Sequence, residues 1–440
     1  MADPLALASE TQRAGDPQKG YSALVNNGYV SCGIPYATYA MFFSPAKPEE
    51  QIPGRDGHNA NLPYWQTAFT TKSGVEVVSA NCLTCHAGFI NGKLVIGLGA
   101  TDRDFTSDVS AQAELAGNFV KGDKDRAEWR KWADRVQAIG PYTTPLTVGV
   151  NPADNLAAVL FAHRDRKTLA WSNEPLMELP AQIVTPVKVP PWWRMKKKHV
   201  MFYDAAGKGD HARIMMTAST LCTDSVEEAN AIDAYFPDVR AFIETLDAPK
   251  YPFAIDAQMA MSGRKVFEST CAGCHGTYGD APTYPNRLTP LAVAGTDTQL
   301  AVGGGGQFAK RYVDWFNESF YGEKAKLVPG NGYVAPPLDG IWAAAPYLHN
   351  ASVPTVAALL DSKARPAYWT RTFDSTDYDP DQLGFHFQPL DHGQAGEPDA
   401  AKRKLIYDTT QPGYGNGGHT FGDALSAVER RAVIEYLKTL

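Results

Sequence analysis

Three stretches of the chain repeat apolar residues at helical spacing, and they frame its organisation. "FPDVRAFIETLDAPKYP" (236–252) places Val239, Phe242, Ile243 and Leu246 on one stripe, which predicts a helix starting at Pro237 or Asp238. Pro249 and Pro252 stop it. "DAQMAMSGRKVFESTCAGCH" (256–275) sets Met259, Val266 and Phe267 on one face of a second helix. "LSAVERRAVIEYLKTL" (425–440) pairs Ser426 with Glu429 as a capping box, and Val428, Ala432, Val433, Tyr436, Leu437 and Leu440 follow at threes and fours. The pattern predicts a mainly α fold with extensive irregular loops, divided into residues 1–248 and 249–440. The long stretch of roughly 95 to 230 is the surplus from which a substrate pocket would be built.

Composition changes this picture in two ways. With 38 Gly and 31 Pro among 440 residues, long irregular loops are expected on a modest scaffold. A net charge of −7 argues against a nucleic-acid surface, which needs a basic face. No apolar run approaches the length of a membrane span. "AVGGGGQF" (301–308) lacks the lysine of a phosphate loop and reads as a flexible loop. "RMKKKH" (194–199) reads as a solvated face, or as a docking patch for an acidic redox partner. The polar stretch 374–400 reads as a surface loop.

Four of the six cysteines bring chemistry. "CLTCH" (Cys82, Cys85, His86) and "CAGCH" (Cys271, Cys274, His275) each have the C-x-x-C-H order of covalent haem attachment: two thiols for the porphyrin and an adjacent imidazole for the iron. Two covalently bound haem c groups are expected, one per half, with His86 and His275 as iron ligands. Such attachment takes place outside the bacterial cytoplasm. A periplasmic or secreted location is therefore expected, although "MADPLALASE" lacks the profile of a secretory signal. Cys32 and Cys222 remain, and a disulfide is their natural fate in an oxidising compartment.

The far face of each iron decides between electron carriage and chemistry. For the second haem the favoured ligand is His419 in "GNGGHTFGDAL", on a Gly-rich loop, with His349 in "APYLHNAS" as the alternative. For the first, no histidine occurs between His86 and His163, and His163, His199 and His211 are the next candidates. His199 and His211 sit in a stretch (190–216) loaded with Trp192, Trp193, Met201, Phe202 and Tyr203. Those side chains form either plain core or the apolar lining of an open site suited to a hydrophobic substrate. Peroxide chemistry would instead need a polar acid–base group such as His199, His211 or Glu114.

Several longer runs carry a family resemblance: "GYVSCGIPY" (28–36), "IPGRDGHNANLPYWQTAFTTKSGVEVVSANCLTCHAG" (52–88), "PPWWRMKKKHVMFY" (190–203), "PLDGIWAAAPYLHNASVPTVAALL" (337–360) and "GHTFG" (418–422). The sequence resembles the di-haem c-type rubber oxygenases, within the superfamily of bacterial di-haem cytochrome c peroxidases. The resemblance implies two cytochrome c-like domains with one covalent haem c each. The first haem would have His86 on one face and dioxygen on the other, beside a phenylalanine, for which Phe202 with Met201 is the candidate. The second would be closed by His275 and His419. Oxidative cleavage of an apolar alkene is the leading expectation, peroxide reduction with electrons from a small redox protein that cross from the second haem to the first by way of Trp192 or Trp193 the second, and non-enzymatic electron transfer with both irons six-coordinate the third. Rubber oxygenases are longer than this chain, so the resemblance carries the haem arrangement further than it carries a polyisoprene substrate. A calcium ion between the halves, as in related peroxidases, is a further cofactor that it admits.

Overall fold

In each half a helix that leads towards a C-x-x-C-H motif crosses a helix further along the chain, and the contact is made through a glycine. Pro17–Asn26 starts on Asp16, whose carboxylate accepts the N–H groups of Gln18 and Lys19, with proline at the first helical position. It crosses Phe236–Thr245 so closely that a Cβ on Gly20 would lie 1.9 Å from the Asp238 carbonyl. In the second half Ala257–Thr270 crosses Ala427–Leu437, and a Cβ on Gly263 would lie 1.8 Å from the Ala432 carbonyl. The capping box of Ser426 and Glu429 is formed as expected. The buried face of Ala257–Thr270 carries Ala260, Gly263 and Phe267, whereas Met259 and Val266 are only half-buried. Close crossing selects small residues, which an apolar pattern does not score. Val428 likewise faces solvent, because the packed stripe begins at Ala432.

This computed structural model describes residues 5–305 and 307–440. Helices cover about 42% of the chain and strands 13%, so helices carry the scaffold and strands occur as short pairs. Gln66–Thr70 and Glu76–Ala80 form a hairpin that delivers the chain to Cys82. A second hairpin, Ala87–Ile90 with Lys93–Ile96, leaves His86 through Asn91 and Gly92, both at positive φ. An Asn-Gly pair in that conformation is the two-residue turn that fits the twist of paired strands. Among the described residues no helix is long and apolar enough to cross a membrane.

Two main hydrophobic cores form, and they interleave across residue 248. The first gathers Leu24, Leu83, Phe161, Trp192, Phe236 and Ile243 with Trp315, Phe316 and Phe320 from the second half of the sequence. The second gathers Phe267, Trp342, Val433 and Tyr436 with Leu98 and Trp193 from the first half. Strand Gly207–Gly209 also pairs with Ala325–Leu327. The helices divide near 248, but the packing does not.

Three segments depart from their expected character. The glycine-rich run 301–308 is flanked and partly occupied by helices Gln299–Gly305 and Gln307–Glu318; residue 306 lies outside the described residues. The 374–400 stretch contains a paired Tyr378–Asp379 and Gly384–Phe385, and its Gln388–Pro389 joins a three-stranded sheet. The basic run 194–199 is largely turned inward: Arg194 is buried, Lys197 pairs with Asp339, and only Lys196 is exposed. A simple charge count cannot distinguish a basic surface from basic groups that line an interior.

Cys32 and Cys222 are joined by a disulfide that closes a sequence separation of 190 residues within the first core. Nearby, buried Asp233 accepts hydrogen bonds from Arg13, Arg213 and Lys324. Burial alone would raise its pKa, but these three cations outweigh burial and hold it at about 2. A carboxylate depressed in the folded state stabilises the fold at neutral pH, and that contribution fades as pH falls from about 4 towards about 2. Asp233→Asn leaves Arg213 buried without its partner, so it is expected to cost about 3–5 kcal/mol in urea unfolding at pH 7. The deficit relative to wild type should shrink towards pH 2.

Candidate haem centres

Both C-x-x-C-H motifs fold as a single helical turn, Leu83–His86 and Ala272–His275. The N–H of His86 is donated to the Cys82 carbonyl and that of His275 to the Cys271 carbonyl, both at 3.0 Å. This turn places the two thiols and the imidazole of each motif on neighbouring positions of one surface. None of the four motif cysteines is in a disulfide. Burial raises the Cys82 and Cys271 thiols to about 11, yet all six motif side chains keep accessible surface. A side chain is strongly desolvated and still accessible when it lines an internal space.

At the second centre, His275 Nδ1 donates to the Pro336 carbonyl at 2.9 Å. That bond fixes the tautomer and leaves the Nε2 lone pair for a metal. The ring of His419 stands opposite, with centres 6.1 Å apart and planes inclined by 57°. With a metal–imidazole bond of about 2 Å on each side, two rings on opposite faces of one iron have centres about 6 Å apart. Burial, followed by the charges of His275 and Arg365, lowers His419 to about 4, so it is neutral. His419 has φ +47° after Gly418 at +71°, where a Cβ would strike the Gly295 backbone. The glycine lets the loop approach closely, and Arg365 holds it by donating to the carbonyls of Asn416, Gly418 and His419. These residues fit a haem c, which Cys271, Cys274, His275 and His419 would hold.

The first centre is built differently. The N–H of Gly97 is donated to the His86 carbonyl, that of Ala100 to the Cys85 carbonyl, and that of Trp192 to the Gly97 carbonyl, each at 2.8 Å. The Trp192 ring then stacks on His86 with centres 4.6 Å apart and planes within 17°. Burial, opposed by the Pro190 carbonyl, lowers His86 to about 4, and its Nδ1 has no partner within normal hydrogen-bond geometry. The Asn151 amide donates to the Cys85 sulfur at 2.9 Å. Thiols, neutral imidazole and internal space again fit a haem c.

The other expected residues fall into place around these centres. Trp192 lies in the first core against His86, and Trp193 in the second, donating to the Asp339 carbonyl at 2.8 Å. Met201 packs against the first core. Phe202 has φ +69° and is 45% exposed. Its neighbours Lys198 and Tyr203 are strongly desolvated, with Lys198 lowered to about 8 by burial. His211 Nε2 donates to the His199 carbonyl at 3.3 Å, and His199 Nδ1 to the Leu7 carbonyl at 2.8 Å. His163 Nδ1 donates to the Ser172 carbonyl and its ring stacks on Trp171. His349 stacks on Tyr333 at 4.2 Å. Among the described residues, no second imidazole pairs with the His86 ring as His419 does with His275. Nor do they gather three or more His, Cys, Asp or Glu side chains into an ion-binding cluster, so calcium rests on the resemblance alone.

One functional candidate escaped sequence reading. Asp154, on helix Ala153–Ala162 close to Asn151, is raised to about 6 by burial and then by Asp204, while much of its side chain stays accessible. No motif marks it, because its character comes from surroundings assembled from distant segments.

The comparisons with known proteins bear on the same region. A family described as "RoxA-like, cytochrome c-like" matches residues 332–370. The chain is 28% identical to protein y4iM of Sinorhizobium fredii over 312 residues, an alignment covering 63% of this chain and 69% of that protein. It is 29% identical over 290 residues to y4iJ of the same organism, covering 51% of this chain and 46% of that protein. Neither relative's name states an activity. The matched segment supplies Pro336, which orients His275, and Arg365, which holds the His419 loop. The chain thus carries a RoxA-like cytochrome c segment, which implies haem c and supports a relationship to rubber oxygenases.

Proposed function

We propose that the chain is a periplasmic or secreted di-haem c oxidoreductase built from two cytochrome c-like domains, whose first centre activates dioxygen to cleave an apolar alkene. The observation that carries this reading is the asymmetry between the centres: His275 faces a second imidazole at 6.1 Å, whereas His86 is backed by Trp192. When bound, haem c at Cys82, Cys85 and His86 supplies the redox chemistry. Desolvation keeps His86 neutral, and Trp192 holds its ring orientation. Phe202 and Met201 provide apolar surface for the substrate, and the surrounding core excludes water. The reaction balances without an external reductant: both atoms of dioxygen end as the oxygens of two carbonyl groups. The disulfide of Cys32 and Cys222 accords with the compartment.

The experiment is to supply the purified di-haem protein with squalene in detergent and follow dissolved oxygen and carbonyl products. Oxygen uptake matched by aldehyde or ketone formation supports the reading; rapid peroxide turnover with no oxygen uptake defeats it.

Peroxide reduction is the second reading, and Asp154 favours it. A carboxyl with pKa about 6 is suited to take a proton from peroxide near neutral pH. Burial raises this pKa in the folded state, so the base form is lost below about 6. A peroxidase rate limited by Asp154 should therefore fall on acidification through that value. Asp154→Asn should lower such a rate by about 10²-fold or more and remove the acid limb. Alkene-dependent oxygen uptake should change little.

A further inference from the structure

Segment 188–198 runs between the two centres: Trp192 stacks on His86, and Trp193 lies in the second core, against which Cys271 packs. It carries Lys188 and Arg194, each 5% exposed, and partly buried Lys198. Among the described residues, other buried cations find acids: Arg135 and Arg164 share Asp224, Arg213 meets Asp233, Arg240 meets Glu244 and Lys438 meets Glu435. Arg55 is met instead by oxygens of Asn59, Pro63, Gln66 and Thr67. Lys188 and Arg194 stand apart. Lys188 Nζ donates to the Ala344 carbonyl, and Arg194 Nε donates to the Asp339 carbonyl at 3.0 Å. Arg194 Nη2 is buried with no partner, and Lys198 Nζ reaches only the Phe202 carbonyl at 3.4 Å.

Nearby acids supply only part of the missing charge: Asp339 forms its ion pair with Lys197 and favours charged Arg194 from a distance, and Asp204 favours charged Lys198 without a hydrogen bond to it. Arg194 also disfavours the charged forms of both Lys188 and Lys198. Like charges gathered in an interior without a counter-ion are strongly unfavourable. Arg55 apart, the other buried cations among the described residues have an acid partner, so the exception points to an anion that arrives from outside the polypeptide.

We propose that Lys188 and Arg194, with Lys198 at their edge, form a carboxylate-binding site that receives the propionates of the haem groups held at the two motifs. The site rests on the haem reading given above. Its chemistry suits the ligand: a guanidinium with a free N–H edge and two ammonium groups are matched donors for carboxylate oxygens. The segment that carries it also reaches both centres, through Trp192 at His86 and Trp193 in the core beside Cys271.

The test uses the di-haem protein and its Arg194→Gln, Arg194→Lys and Lys188→Met variants. Haem content by pyridine haemochrome comes first. Wild-type protein without haem overturns the underlying reading, whatever the variants do. With two haems present, loss of a positive charge beside a haem carboxylate favours ferric iron. Arg194→Gln and Lys188→Met should each lower a midpoint potential and shift a propionate bending band in the resonance Raman spectrum, and Arg194→Lys should restore part of both. Unchanged potentials and bands in folded, haem-loaded variants overturn the proposal. So does a wild-type potential that responds to added phosphate or acetate with the response lost in Arg194→Gln, because the site then holds a free anion.

Discussion

Replacing Cys82 and Cys85 together with alanine is expected to leave one covalent haem per chain in place of two and to reduce alkene-dependent oxygen uptake to background. The two thiols and His86 occupy one helical turn, so the change removes the attachment chemistry without altering a fully buried side chain, although Cys82 packs against the edge of the first core. Both cysteines are only half-buried and serve no disulfide. The cavity cost therefore stays small compared with truncation of a packed leucine, about 2–5 kcal/mol. The second centre is held by Pro336, Arg365 and the His419 loop, none of which touches Cys82. Its spectrum should survive. Denaturing gel electrophoresis with haem stain and an oxygen electrode check both halves of this expectation; oxygen uptake that persists at wild-type rate would place the chemistry elsewhere.

The second large effect is on stability. Gly263→Ala sits inside helix Ala257–Thr270, where intrinsic propensity alone would favour alanine by about 1 kcal/mol. The crossing reverses that sign. The new Cβ would lie 1.8 Å from the Ala432 carbonyl and 2.9 Å from the Val433 amide nitrogen, both backbone atoms that no rotamer change can move. Helix Ala427–Leu437 must shift away from the leading helix, which opens the contact of Phe267 with Val433 and Tyr436 in the second core. Overpacking typically costs 1–3 kcal/mol, and relief by backbone displacement puts this case at about 3 kcal/mol. Gly20→Ala meets the equivalent obstacle at 1.9 Å from Asp238 and should behave alike. A lower midpoint in chemical unfolding is the expected reading; a stabilised variant would show that the crossing is looser than described.

The sequence made the local features legible. Short-range rules placed the cap at Ser426, the stop after Thr245 and the two C-x-x-C-H turns, because each depends on residues within a few positions. His419 was legible for a similar reason, since a glycine run precedes it. What escaped depends on distant partners. The leading helix Pro17–Asn26 was signalled by Asp16, Pro17 and Gly20, but a glycine inside a helix looks unfavourable until its crossing partner is known. The basic run at 194–199 has the composition of a surface, yet Arg194 is buried and donates to the Asp339 carbonyl, 145 residues further along. The character of Asp154 arises first from its burial and then from Asp204, fifty residues away.

The proposed function needs one closed and one open centre. Low-temperature electron paramagnetic resonance of the isolated ferric protein tests this directly. A low-spin signal from the His275–His419 centre is expected together with a high-spin component from the His86 centre, and His419→Ala should convert the first signal while leaving the second. Two low-spin bis-histidine signals, both retained in that variant, would contradict the proposed function.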